Sequence, residues 1–202
     1  GMAANYKGRL WAHTFAIGRE RDRGALQRFL TQKYSGQAIL TKNGRSALAL
    51  ALKAYFEPGD AIIVNGFTCY AVYEAVKAAG LVPIWADISS EDLNYNIESL
   101  TAALRAGPAI AASPTVLDSH LRAAGTPPAT SPARIKPVGI LIQNSLGNPV
   151  DIVAIEKFAK QHNLTIIEDL AHCAGIKYAD GREAGTVGAA AALSFGKDKS
   201  VD

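Results

Sequence analysis

The stretch TIIEDLAHCAG, residues 165–175, decides the fold. It opens as a clean β run, Thr165-Ile166-Ile167, and closes on two acids, Glu168 and Asp169. Successive side chains of a strand leave opposite faces, so Asp169 is expected at the strand end with Glu168 turned the other way. An acid so placed can pair with a ligand's ring N–H; equally, it can cap the next helix or sit in solvent.

Outward from this stretch, other short β-rich runs recur at QAIL (37–40), AIIV (61–64), VPIWADI (82–88), VGILIQ (138–143) and ALSF (192–195). Helical patterns lie between them. RSALALALKAYF (45–56) and YAVYEAVKAAG (70–80) have the spacing of packed helices, the second closing on Gly80. In PVDIVAIEKFAKQHN (149–163), Ile152, Ile155, Phe158 and Ala159 share a face and Asn163 stands where the helix should stop. This alternation predicts an α/β fold of three layers, α/β/α, around a mainly parallel sheet. From about Ala106 to Pro137 the rhythm breaks into an Ala-, Pro-, Ser- and Thr-rich stretch, read as a surface excursion with one short helix at TVLDSHLRAAG (115–125). No repeat or domain boundary is visible, so residues 1–202 are read as one domain.

Composition narrows the function. The chain is 49% hydrophobic and 19% charged, an ordinary globular mixture. Its 21 Lys+Arg and 18 Asp+Glu give a net charge of +3, and the basic residues are scattered, which argues against nucleic acid as a partner. Two cysteines, Cys69 and Cys173, form no CxxC, so neither a disulfide framework nor a metal site is expected. There is no apolar run of membrane-spanning length, and GMAANYKGRLWAH lacks the apolar centre of a signal peptide, with Gly1 before Met2 set aside. A cytoplasmic setting is expected.

In an open parallel sheet, ligands bind beyond the carboxyl ends of the strands. Asn43 and Gly44 in KNGRSALAL stand between a strand and a helix, where free N–H groups and the helix dipole favour a phosphate; many such turns bind nothing. SFGKDKS (194–200) carries Lys197 and Lys199, either able to form an imine with an aldehyde, although Lys pairs are commonly solvated clusters. A nicotinamide-binding Rossmann unit is disfavoured, because no GxGxxG follows the first strand.

Taken together, from about Ile39 to Lys199, these segments resemble the DegT/DnrJ/EryC1/StrS family of sugar aminotransferases, enzymes that use pyridoxal 5'-phosphate (PLP). Asn43-Gly44-Arg45-Ser46 is similar to the family's phosphate turn, GDAIIVNGFT (59–68) to its "GDEVI…P-S-F-T", and AGLVPIWADI (79–88) to its "GA-x-P-V-F-V-D-V". LGNPVDI (146–152) resembles "Y-G-Q-P-A-D-M", IIEDLAHCAG (166–175) resembles "V-I-E-D-A-A-Q-A-H-G", and LSFGKDK (193–199) resembles "F-S-F-x-x-x-K". The resemblance implies that Lys199, rather than Lys197, forms the Schiff base and that Asp169 pairs with the pyridine nitrogen. It further implies that His172 reaches the cofactor's phenolic oxygen and that Ser194 contacts its phosphate.

Several positions depart from the family. Cys69 and then Tyr70 follow Thr68 where an aromatic residue usually stacks on the cofactor, and Arg45 replaces a Thr, its guanidinium free to reinforce phosphate binding or to be solvated. The implied function is transfer of an amino group, typically from glutamate, to a keto group on a nucleotide-linked sugar by a homodimer. The chain ends at Asp202, before the segments that complete the family's sheet and substrate site, so these residues alone are expected to be an incomplete, inactive piece. A sugar dehydratase on the same fold and a non-catalytic partner subunit are the rival expectations; dehydrating relatives can carry His in place of the lysine.

Overall fold

The computed structural model describes residues 19–106 and 135–195. Helices α1 (Arg19–Lys33) and α2 (Gly44–Tyr55) lead into β1 (Ala61–Asn65), α3 (Tyr70–Ala78), β2 (Val82–Ala86) and α4 (Ile97–Ala106). Then come β3 (Pro137–Gln143), a 3-10 turn (Ser145–Gly147), α5 (Ile152–His162), β4 (Thr165–Asp169) and β5 (Ala190–Ala192). The strands form one sheet in the order β2-β1-β3-β4-β5, and every pairing is parallel.

Strand alternation sorts the core into two halves. Ile62, Val64, Leu141 and Ile167 point to one face and pack with Leu48 and Leu52 of α2 and Val72 and Val76 of α3. Ile63, Ile140 and Ile142 point to the other, against Leu100 of α4 and Ile155 and Phe158 of α5. Helices on both faces of a parallel sheet make the expected three layers. Leu52 is fully buried, so its truncation to Ala should cost about 2–5 kcal/mol.

Local chemistry explains the helix limits. Asn43 caps α2, its side chain accepting from the Ser46 N–H at 2.8 Å, and Asp151 caps α5 by accepting from the Ala154 N–H at 3.0 Å. The α5 helix ends on Asn163 in the left-handed conformation, φ 55 and ψ 46, as the sequence suggested.

Two expected strands need correction. QAIL (37–40) is not a strand: the Ala38 N–H donates to Thr31 Oγ1 and its carbonyl accepts from Gln27 Nε2, so side chains of α1 serve its backbone, and Ile39 stays exposed. ALSF (192–195) is offset, because β5 runs over Ala190–Ala192. Its partner β4 ends at Asp169 opposite Ala192, and the ladder ends with it. Helices α1 and α4 were not foreseen. In α1 Leu26, Phe29 and Leu30 share helical spacing but Leu30 alone of the three is buried, and the charged residues around so short a stripe hide it. The short helix expected at 115–125 lies outside the described residues.

Candidate active site

The carboxyl ends of β3 and β4 and the start of α2 converge on a cavity of about 310 Å³, within the range of small-ligand sites. Gln143, Asp169 and Ala192 stand in register across the ends of β3, β4 and β5, and all three line it. Asp169 is 6% exposed, and its Oδ1 accepts from the Ala171 N–H at 3.0 Å. Its side chain faces the layer of α2 and α3, the face that Ile167 shares two residues earlier. Glu168 points to the opposite layer, where it is fully buried.

The first turn of α2 closes the cavity at Asn43, Gly44 and Arg45. Asn43 takes the N–H of Ser46, which leaves the N–H groups of Gly44 and Arg45, having no acceptor within the helix, as anion donors. Ser194 packs directly on this turn: a Cβ added to Gly44 would lie 2.9 Å from both Cβ and Oγ of Ser194. Only glycine allows that approach.

The Arg45 guanidinium pairs with Glu74 on α3 at 2.8 Å and so braces two helices at the edge of the cavity. Ser46 gives its N–H to the cap, and its side chain lies outside the lining. Cys69, exposed at the start of α3, does line the cavity. Tyr70 does not: it is 69% exposed and lies 5.7 Å, ring to ring, from Tyr73, which in turn lies 6.3 Å from Trp85. The helix turns Ala71 and Val72 inward instead. His172, in the turn after β4, lines the wall beside Asp169. Lys197 and Lys199 lie outside the described residues.

Sequence reasoning missed Gln143 and Asn144. Gln143 Oε1 accepts from the Thr68 hydroxyl and its Nε2 donates to the Phe67 carbonyl at 3.2 Å, which ties the end of β3 to the turn after β1. The signal was present, since Gln143 ends an apolar strand as Asp169 does. Asn144 is fully buried, donates from Nδ2 to the Tyr178 hydroxyl at 3.3 Å and accepts from the Val150 N–H at 3.0 Å. Nothing in its local sequence marks that role.

The donor set fits a phosphorylated pyridine aldehyde: a buried carboxylate at a strand end, with helix N–H groups and a hydroxyl nearby in the same cavity. No group of three or more His, Cys, Asp or Glu among the described residues has a metal-binding arrangement. No helix among them is long and apolar enough to cross a membrane.

Fold and cavity thus define a three-layer α/β/α protein with a ligand-sized cavity at its strand carboxyl ends. The model of the DegT/DnrJ/EryC1/StrS aminotransferase family matches residues 23–201, and the chain belongs to that family. It is 29% identical over 160 residues to a pleiotropic regulatory protein of Geobacillus stearothermophilus, covering 79% of this chain and 35% of that protein. It is 27% identical over 175 residues to a GDP-perosamine synthase of Escherichia coli O157:H7, covering 86% of this chain and 40% of the relative. Among solved structures, an aminotransferase from Psychrobacter cryohalolentis superposes with a TM-score of 0.66 at 28% identity, over 87% of this chain and 38% of that one. The chain therefore spans 35% to 40% of the length of these curated relatives.

Proposed function

We propose that the protein is a PLP-dependent aminotransferase acting on a nucleotide-linked keto sugar, with glutamate as amino donor, and that residues 1–202 form its cofactor-binding large domain. The observation that carries this reading is the meeting of Asp169, the α2 N-terminus and Ser194 in one cavity, in a chain of this family. The similarity to a GDP-perosamine synthase supports the nucleotide-sugar substrate.

Each residue then has a task. Asp169 holds a proton on the pyridine nitrogen, its burial strengthening the pairing. The Gly44 and Arg45 N–H groups and the Ser194 hydroxyl bind the phosphate, and His172 lies beside Asp169 to orient the ring. Cys69, where the family usually stacks an aromatic ring, flanks the cavity with a smaller surface. When bound, the cofactor supplies an aldehyde for imine formation and a ring that accepts electrons. Lys199, selected by family register, provides the amine and afterwards moves the proton between carbon atoms. The active unit is proposed to be a homodimer in the cytoplasm.

Incubating the protein with PLP, glutamate and a panel of nucleotide-linked keto sugars tests the proposal. A visible cofactor band and amino-sugar formation by mass spectrometry are the expected results; neither appearing would overturn it. A polypeptide confined to residues 1–202 is expected to bind the cofactor without turnover, because the matched region covers 35% and 40% of the length of these relatives.

A further inference from the structure

Behind Asp169, on the opposite face of the sheet, Glu168 is fully buried and holds a hydrogen-bond cluster that the proposed chemistry does not use. Oε1 accepts from the N–H groups of Val187 and Gly188 at 2.9 and 2.6 Å, and Oε2 accepts from the Gly185 N–H and the Tyr178 hydroxyl, both at 2.7 Å. Gathering backbone donors from 185 to 188 onto one side chain requires a tightly folded segment. Gly185 adopts φ +99, and a Cβ on Gly188 would lie 2.9 Å from the Ile166 carbonyl, so the chain is built to press its backbone against this carboxylate.

Past this clamp the chain leads straight to the cavity. Strand β5 has three residues and begins two positions after Gly188. So short a strand has few ladder bonds with which to fix its own register, and a slip of one residue would exchange the faces of all its side chains. Ser194, two residues beyond β5, would then no longer meet Gly44. A second path leads from Glu168 through the Tyr178 hydroxyl to Asn144, which lines the cavity.

We infer that Glu168 is a positioning residue: by clamping residues 185–188 it fixes the register of β5 and so holds Ser194 against the phosphate-binding turn at Gly44. This rests on the proposed PLP site for its ligand and on the geometry alone for its mechanical claim. Glu168→Gln keeps the volume but turns an N–H group toward donors it cannot satisfy.

The test compares the protein with its Glu168→Gln and Arg182→Ala variants. Arg182 braces the preceding turn, residues 178–182, through Glu156 and Asp180, away from the cavity. Glu168→Gln is expected to weaken PLP binding, monitored by absorbance, about tenfold, and to weaken inorganic phosphate competition in parallel. It should also speed hydrogen exchange at the amides of 190–195. Arg182→Ala should lower thermal stability slightly and leave both readouts as they were. Unchanged affinity and exchange in Glu168→Gln, or equal losses in both variants, would overturn the inference. If Glu168→Gln does not fold, Tyr178→Phe removes one donor and the link to Asn144; a threefold or so loss of affinity is expected, and none would count against the clamp. Should the unmodified protein bind no PLP, the proposed function fails, while exchange at 190–195 in the variants still decides the positioning role.

Discussion

Two neighbouring carboxylates at the end of β4 occupy opposite worlds. Asp169 faces the α2 and α3 layer and lines a cavity, where its Oδ1 accepts from the Ala171 N–H. Glu168 faces the other layer, away from that cavity, and has both oxygens occupied by Tyr178, Gly185, Val187 and Gly188. One residue of sequence separates a group that faces a ligand-sized cavity from one whose hydrogen-bonding capacity the fold has consumed. The contrast teaches that a polar residue at a strand end is read for function only after the face it takes is known.

The largest effect that sharpens this contrast belongs to the cavity side. Lys199→Ala should abolish the visible cofactor band and turnover, whereas Lys197→Ala should retain the band; the reverse pattern would show the register to be shifted by two residues. Next, Asp169→Asn is expected to lower turnover by about 10²–10³ while shifting the melting temperature little, since the amide oxygen can still accept from Ala171. A stability loss larger than the activity loss would make Asp169 structural and break the comparison.

Truncation on the other face should be read first in stability. Glu168→Ala leaves buried donors without an acceptor and is expected to cost about 3 kcal/mol or more, read from the denaturant midpoint. A Gly44→Ala variant, whose Cβ would crowd Ser194 at 2.9 Å, should weaken PLP binding about tenfold while costing about 1–2 kcal/mol in stability.

The smallest effects come from the two thiols. Burial, helped by the nearby Asp169 charge, pushes the Cys173 thiol from 9.0 up to about 11, and burial together with Glu168 raises Tyr178 as well. Both groups favour their neutral forms in the folded state, so the Cys173 contribution is complete below pH 9.0 and fades as pH rises toward 11, while that of Tyr178 fades from pH 10.0 upward, and the melting temperature should fall over that range. At about pH 8, iodoacetamide should label the exposed Cys69 and spare Cys173, with PLP slowing the reaction at Cys69. Equal labelling of both would show that the β4 turn opens.

Hydrophobic pattern by itself determined the layers and most of the strands, because runs such as AIIV and VGILIQ can be buried on both faces only inside a covered parallel sheet. It also placed Asp169 at a strand end opposite Glu168, since the period of two needs no tertiary information. Asn163 as a helix stop and Asn43 at the head of α2 were legible for the same reason: both act within a few residues of themselves. Tertiary structure decided the rest. QAIL has strand composition, but α1 side chains, not a neighbouring strand, meet its backbone. Arg45 turned toward Glu74, Tyr70 turned away from the cavity, and Glu168 became a clamp for residues 17 to 20 positions further along the chain. Those outcomes depend on which surfaces the folded chain brings together, and local periodicity carries no record of a partner that distant in sequence.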